Sequence, residues 1–295
     1  MEERKLIENV KYTQERPLFG EKNLLVRNCE FDKGESPLKE VKNIEVEGGA
    51  FKWKYPLWYA SDIKVTGTRF EEMSRAGIWY SNNLYVKDLE IIAPKEFRRC
   101  DGVTIKNVTF TNAEETLWNC NNVKLINVKA VGPYFAMGTN NLYIDGLELT
   151  GNYCFDGSKN VEVHNSKLLA KDCFWNCENV TVYDSYISGE YLAWNAKNVT
   201  FINCEIESLQ GLCYVENLKM INCKFKNTSL AFEYSTVDVE ITNTIDSVMN
   251  PISGHIKAAG IDKLIMDPNK VDINKTVIEA PIKETLKEFD GIIPD

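Results

Sequence analysis

Residues 179–188 read Asn-Val-Thr-Val-Tyr-Asp-Ser-Tyr-Ile-Ser, and the same pattern returns at 198–207 and 217–226. Each copy begins with Asn, has apolar residues at its second and fourth positions, and has Asn or Asp at its sixth. Asn or a substitute recurs along the chain in steps of 19 to 21 residues, at 23, 43, 62, 83, 102, 122, 141, 160, 179, 198, 217 and 236. A repeat of this length indicates a solenoid whose units stack directly on one another.

The alternation of apolar and polar residues predicts three short strands in each repeat. Residues two apart in a strand face the same side, so the second and fourth positions point inward. A second strand follows the corner at position six, and a third has an inward residue five before the next start, such as Leu117 or Phe174. Parallel crossovers are almost always right-handed. The sequence therefore predicts an all-β fold, a right-handed single-stranded parallel β-helix of about twelve coils of 19–21 residues.

The Asn column itself has a structural explanation. Asn tolerates the left-handed backbone of a corner, and stacked Asn side chains can bond from coil to coil as an amide ladder. We therefore assign this column to the fold and not to a binding site.

The repeats "NVTVYDSYIS", "NVTFINCEIE" and "NLKMINCKFK" resemble those of the pectate-lyase-like superfamily of right-handed β-helices. More closely, the chain resembles an uncharacterised bacterial family of single-domain β-helix proteins, a domain of unknown function. The superfamily resemblance implies two chemistries. Its lyases use a Ca²⁺ cluster of Asp with an Arg or Lys base, and its hydrolases use several Asp and a Gly-His-Gly-type loop. The closer resemblance brings no catalytic residues with it.

The ends of the chain depart from the repeat. An open β-helix exposes unpaired backbone at its ends, so we expect caps there. The predicted organisation is an N-terminal cap at 1–22, the β-helix at 23–244 and a C-terminal cap or tail at 245–295. Residues 281–289 begin with Pro281 and have a helix-permissive composition, which predicts a short C-terminal helix.

Composition limits the functions to be considered. The net charge of −9 provides no basic stripe for phosphates, so nucleic-acid partners are not expected. No apolar run reaches transmembrane length, and no apolar segment follows Met1, so we expect neither membrane insertion nor secretion. The nine Cys then indicate reduced core thiols in a cytoplasmic protein. No spacing predicts a metal site or a cofactor.

One outward column points to function. Four positions before each repeat start, the chain has Lys39, Trp58, Trp79, Arg98, Trp118, Met137, Asp156, Trp175, Trp194, Cys213 and Phe232. Five of the six Trp therefore form a single stripe. Three explanations remain open. The rings can stack on saccharides, they can form a homo-oligomer interface, or the C-terminal tail can cover them.

Within this stripe we predict a dent at Met137-Gly138 and Asp156-Gly157, where two Gly replace larger neighbours. An aromatic-walled dent with one carboxylate is the default binding site of such a surface. The residues predicted to bind ligand are Trp118, Asp156, Trp175, Trp194, Trp79, Tyr134, Tyr153, Tyr191, Met137, Arg98, Asn119 and Asn176.

No catalytic constellation accompanies the stripe. There is no Asp-Asp pair, and neither His164 nor His255 lies in a Gly-His-Gly-type loop. Glycosidase chemistry needs two facing carboxylates, and Asp156 has only Asp172, Glu114 or Glu115 as partners. Asp156 is thus the only catalytic candidate. If the protein is an enzyme, we expect a polysaccharide lyase or a glycoside hydrolase; otherwise it is a binding or interaction protein.

Overall fold

The computed structural model describes residues 4–289 and confirms an all-β parallel solenoid of about 15 turns. It divides into two compact units, Met1–Val161 and Glu162–Asp295. The prediction of about twelve coils was too low, because strands also form before residue 23 and after residue 244. Right-handed coiling stays a prediction. The outermost residues of both predicted caps, 1–3 and 290–295, lie outside the described residues.

The N-terminal unit is built from parallel strands in register. Leu24 pairs with Ile44, Ile44 with Ile63, and Val103 with Val123, so each inward column is continuous. Its strands are β1 (Lys5–Glu8), β2 (Lys11–Tyr12), β3 (Lys22–Arg27), β4 (Glu30–Phe31), β5 (Lys42–Glu47), β6 (Ala50–Phe51), β7 (Ser61–Thr66), β8 (Arg69–Phe70), β9 (Asn82–Ile91), β10 (Asp101–Phe110), β11 (Asn121–Val131) and β12 (Asn140–Gly151). Strand β13 (Lys159–His164) contains the boundary residue Val161.

The C-terminal unit repeats the arrangement. Val180 pairs with Val199 and Val199 with Leu218, again in parallel. Its strands are β14 (Lys167–Ala170), β15 (Glu178–Tyr183), β16 (Tyr186–Ser188), β17 (Lys197–Ile202), β18 (Glu205–Glu207), β19 (Glu216–Phe225), β20 (Thr236–Met249), β21 (Ser253–Ile265), β22 (Thr276–Glu279) and β23 (Ile282–Leu286).

Inside the solenoid, side chains of the same kind stack on one another from coil to coil. In the N-terminal unit the Phe31 and Phe51 rings stack 5.0 Å apart, and Phe51 lies 5.0 Å from Phe70. All nine Cys are buried, as expected for small core residues. In the C-terminal unit the Cys204 and Cys223 thiols donate to Val182 O and Phe201 O at 3.4 Å. The hydrogen bond with the Cys223 thiol, together with burial, raises the pKa of the Cys204 thiol, which keeps it protonated.

The third side of the coil differs from its prediction. It consists largely of turns instead of a strand, with isolated bridges such as Trp79 to Arg98. The cause is backbone conformation, since two residues on this side are left-handed in many coils. Leu117 has φ 62° and Asn119 has φ 52°, and an extended ladder cannot continue through such residues.

The predicted C-terminal helix is wrong. Residues 282–286 form strand β23, which pairs in parallel with β21 through Ile261–Ile282 and Ile265–Leu286. A helix there would leave the β21 edge unpaired, and that cost outweighs the helix-permissive composition. Leu286 and Phe289 also pack against the buried cluster Leu230, Met249 and Ile265. The only helical turns among residues 4–289 are 3₁₀ turns at Glu72–Ser74 and Ile273–Lys275.

The Asn column forms the expected amide ladder in each unit. Asn141 donates to Asn122 at 3.0 Å in the N-terminal unit. Asn198 donates to Asn179, and Asn217 to Asn198, both at 2.9 Å, in the C-terminal unit. All of these Asn have a left-handed φ between 54° and 61°. The column therefore serves the fold, through its corners and its ladder.

Candidate functional site

The Trp column lies on the turn side of the coil, and its rings are half-buried. Trp175 stands between the left-handed residues Phe174 (φ 62°) and Asn176 (φ 53°), just as Trp118 stands between Leu117 and Asn119. Phe174 is buried and Asn176 is exposed, so the ring between them lies along the surface. Such rings can contact both the protein and a ligand.

In the N-terminal unit the column packs tightly against itself. Trp58 and Trp79 stack with 5.2 Å between ring centroids and 6° between planes. The Arg98 guanidinium lies 4.5 Å from the Trp79 centroid and 4.6 Å from that of Trp118, and it donates to Glu115 at 2.9 Å. The ring faces in this stack are covered by one another and by a cation. This contact gives Arg98 and Trp79 a structural role, and their predicted ligand binding stays a prediction.

Four Trp in the column donate their indole N–H to the turn of the next coil. Each donates to a backbone carbonyl at the same place in the repeat, seven residues before the following start. The acceptors are Ala76 for Trp58, Lys95 for Trp79, Tyr134 for Trp118 and Tyr191 for Trp175, at 2.6 to 2.8 Å. This bond holds each ring flat along the stripe.

Trp194, in the C-terminal unit, breaks the pattern. The equivalent carbonyl, that of Gln210, accepts from the Cys213 thiol at 3.2 Å instead. Within residues 4–289 the Trp194 indole N–H donates to no protein group. Its ring is tilted 35° from that of Trp175 at 6.3 Å, and it packs against Tyr214 at 4.9 Å. The stack therefore opens between Trp175 and Trp194.

A pocket of about 340 Å³ occupies this opening, lined by Trp175, Tyr191, Trp194 and Gln210. The Tyr191 ring stands at 90° to that of Trp194, with centroids 5.7 Å apart. Gln210 is only 6% exposed, yet its side-chain amide makes no hydrogen bond within the described part of the chain. The amide atoms of Gln210 are not among the fully buried polar atoms that lack a partner, so solvent reaches them and they can bond a ligand.

The charged side chains near this pocket either form an ion pair with each other or are carboxyl groups affected by burial. Lys171 Nζ lies 3.0 Å from Glu190 Oε2 and 5.9 Å from the Tyr191 ring centroid. Burial raises the pKa of Asp172, which is 1% exposed, and burial also raises the pKa of Glu233. None of these carboxylates lines the pocket. What the pocket offers is ring surface, an indole N–H and a neutral amide.

The structure thus brings together three of the predicted ligand residues, Trp175, Tyr191 and Trp194, and adds Gln210. Gln210 was missed, although a signal for it existed. It occupies the same repeat position as Tyr191, seven before the next start, and only Tyr residues of that column were among the predicted ligand residues. Tyr214 was missed for a similar reason, since it occupies the position of Asn195 one repeat later.

The other predicted ligand residues lie in the N-terminal unit, apart from Asn176. Tyr134 and Tyr153 stack at 5.5 Å, and Tyr134 meets Trp118 edge-on at 6.4 Å. Met137 and Asp156 are half-buried, and Asn119 is exposed. Asn176 is exposed and accepts from Asn195 at 2.9 Å in the C-terminal unit.

The two Gly of the predicted dent have a backbone explanation. Gly138 (φ 65°) and Gly157 (φ 68°) occupy the left-handed corner that carries Asn or Tyr in most other coils. The dent residues are divided between the two compact units, with Trp118 and Asp156 in one and Trp175 in the other. A single site joining them, and a catalytic role for Asp156, stay predictions.

Both His have protein partners. The His164 ring stacks on Tyr183 at 4.6 Å, and its Nε2 lies 2.7 Å from Glu162. His255 lies 3.3 Å from Glu279 and 4.0 Å from Asp238. Across residues 4–289, no three His, Cys, Asp or Glu side chains group in a way that could hold a metal ion. Over the same residues, no helix is long and apolar enough to cross a membrane.

The family described as "Protein of unknown function (DUF3737)" matches residues 5–279. The chain belongs to this family. The earlier resemblance to an uncharacterised β-helix family is therefore confirmed. Comparison with proteins of curated function finds no match.

Similar solved structures include proteins of several kinds. QnrB1, a plasmid-mediated fluoroquinolone resistance protein, is 16% identical, over 76% of this chain and 92% of that one, with a TM-score of 0.25. The tailspike protein of E. coli bacteriophage HK620 is 11% identical, over 89% and 60%, with a TM-score of 0.33. The A-module of the Azotobacter vinelandii mannuronan C-5 epimerase AlgE4 is 10% identical, over 91% and 76%, with a TM-score of 0.27. Similarity at this level says nothing about activity.

Proposed function

We propose that the protein binds a saccharide in the pocket lined by Trp175, Tyr191, Trp194 and Gln210. The observation that carries this proposal is the combination of ring walls with unpaired neutral hydrogen-bonding groups in one opening. Sugar rings present apolar C–H faces and hydroxyl edges. Aromatic faces suit the first, and amide and indole groups suit the second.

The break in the Trp stack supports this location. In the N-terminal unit the ring faces of Trp58 and Trp79 are occupied by their neighbours. Trp194 has left that arrangement, and its indole N–H is available to a ligand. Binding pockets of about 300 to 1,000 Å³ are typical of small-molecule sites, so about 340 Å³ fits one or two sugar rings.

The test is titration of the purified protein with a saccharide panel, followed by intrinsic Trp fluorescence. We expect Trp194→Ala to abolish the response. Trp58→Ala should preserve it, because Trp58 lies in the self-packed stack of the N-terminal unit. Both variants truncate a half-buried Trp, so each controls for the general effect of losing a ring. Loss of binding in Trp58→Ala alone, or no response to any sugar, would contradict the proposal.

An oligomer interface is the second candidate function, favoured by exposed rings on the N-terminal unit. Tyr59 is 50% exposed and stacks on Tyr80 at 5.0 Å. Exposed Tyr and Trp are enriched at interfaces. Light scattering with size-exclusion chromatography on the wild type and on Tyr59→Lys distinguishes the two functions. A mass that falls in the variant identifies an interface, whereas an unchanged monomeric mass removes this candidate.

A further inference from the structure

We propose that the ligand of this pocket is a neutral sugar that carries an acetamido group, an N-acetylhexosamine. The inference rests on the proposed saccharide function and adds the chemical class of the sugar. The charge, the hydrogen-bonding groups and the size of the pocket support this class of sugar.

The lining is uncharged. Trp175, Tyr191, Trp194 and Gln210 supply ring surface, a phenol, an indole N–H and an amide, but no ionised group at neutral pH. The nearby cation, Lys171, pairs with Glu190 at 3.0 Å. An acidic sugar would require Arg or Lys in the lining, and an amino sugar would require a carboxylate. The complementary ligand is therefore neutral.

Gln210 sets the polar part of the recognition. Its amide has a donor and an acceptor side by side, and it is 6% exposed with no protein hydrogen bond among the described residues. An acetamido group presents the matching pair, a C=O for the Gln NH₂ and an N–H for the Gln C=O. A ligand that leaves this amide unpaired forfeits free energy that an acetamido group recovers.

The remaining lining accommodates the rest of such a sugar. The methyl of an acetamido group needs an apolar wall, and the Trp175 and Trp194 rings, 6.3 Å apart, provide one. The Trp194 indole N–H adds one donor for a hydroxyl of the sugar ring. The volume of about 340 Å³ lies at the small end of ligand sites, which suits a single modified sugar better than a long chain.

The experiment is calorimetric titration with matched sugars: N-acetylglucosamine against glucose, N-acetylgalactosamine against galactose, and glucosamine as the cationic probe. We expect an N-acetylated sugar to bind about tenfold or more tightly than its parent, the value of one well-placed amide pair. Equal binding of both members of each pair overturns the acetamido inference and leaves saccharide binding standing. Tighter binding of glucosamine overturns the neutral lining. Absence of binding by every sugar overturns the proposed function as well.

Gln210→Met keeps the length of the side chain and removes both polar groups. It should abolish the preference for the N-acetylated sugar, reducing the ratio of affinities from about ten to about one. The matched control is Gln14→Met, the only other Gln in the sequence, which is exposed in the N-terminal unit and should leave the ratio unchanged. A ratio that survives Gln210→Met overturns the assignment to Gln210.

If circular dichroism shows that Gln210→Met does not fold, Trp194→Phe provides an independent test. It keeps a ring in the wall and loses only the indole N–H, so both sugars of a pair should weaken by a similar factor and the preference should persist. Loss of the preference in this variant contradicts the role given to Gln210.

Discussion

Trp175 and Trp194 occupy the same column of the repeat, but only Trp175 donates its indole N–H to the protein. Its bond to Tyr191 O measures 2.7 Å, whereas the matching carbonyl beyond Trp194 accepts from Cys213. At the scale of single residues, this difference separates a ring that stabilises the fold from one that is available to a ligand.

Stability measurements can test this separation. Trp175→Phe removes a hydrogen bond and should lower the free energy of unfolding by about 1 kcal/mol more than Trp194→Phe does. Both variants lose the same ring area, so the difference isolates the bond. Chemical denaturation of the two variants gives the numbers. Equal losses would show that the Trp175 bond contributes nothing.

Glu96 predicts a pH dependence. It is fully buried in the N-terminal unit, and burial raises its pKa well above the ordinary 4.5. One oxygen accepts from Gly77 N at 3.2 Å, and the other has no partner within residues 4–289. Between pH 4.5 and the folded pKa, the native state binds more protons than the unfolded state, so stability falls as pH rises.

Glu96→Gln removes that titration while keeping the shape. We expect it to be more stable than the wild type at pH 7, with the advantage shrinking as the pH falls to about 4.5 and below. Unfolding free energies from pH 4 to pH 8 check this. A difference between the two proteins that does not change with pH would contradict it.

Some features of single residues could be predicted from the sequence, and others could not. The Asn corners were predictable because Asn tolerates a left-handed backbone, and nine repeat-start positions from 23 to 217 have an Asn with positive φ. Gln210 could have been found by following the Tyr191 column one repeat further. The tilt of Trp194 could not, since nothing in the repeat pattern indicates that its indole N–H fails to donate to the Gln210 carbonyl, where the Cys213 thiol donates.

At the scale of elements, the amide ladder links one strand start to the next. In the C-terminal unit Asn198 both donates to Asn179 and accepts from Asn217 at 2.9 Å. Asn198 also has a left-handed backbone, with a φ of 54°, so the residue at this position must tolerate that conformation. The ladder and the backbone requirement can be separated by substitution.

Asn198→Gly removes the ladder contacts but tolerates the left-handed backbone. Asn198→Ala removes the contacts and adds the steric cost of that backbone, about 1–2 kcal/mol. We expect both to be destabilising, with Ala the worse of the two by about 0.5–1 kcal/mol after the chain entropy of Gly is counted. Thermal and chemical unfolding provide the comparison. Greater stability of the Ala variant would contradict the corner assignment.

The elements after residue 244 show where pattern reading fails. The 19-residue period ends there, because β20 and β21 are long strands whose pairing shifts register between Ile241 and Thr244. Without the period, composition alone predicted a helix at 281–289, and an open sheet edge produced strand β23 instead. Pairing with an open strand edge therefore outweighs the local helix propensity of this segment.

At the scale of the whole chain, a repeat of 19 to 21 residues was sufficient to predict a parallel β-solenoid, because each coil presents the same inward columns. The coil count was underestimated only where the first coil and the last two lack the Asn signature. Circular dichroism should therefore show a strongly β-type spectrum with almost no helical component. A substantial helical signal would contradict the fold.

The measurement that tests the binding proposal most directly is ¹⁹F NMR of the protein labelled with 5-fluorotryptophan. The six Trp give six resonances, which can be assigned with single Trp→Phe variants. On titration with the saccharide that binds, we predict shifts of the Trp175 and Trp194 resonances, while those of Trp53, Trp58, Trp79 and Trp118 stay in place. Shifts confined to the latter four, or no shift with any sugar of the panel, would contradict saccharide binding between Trp175 and Trp194.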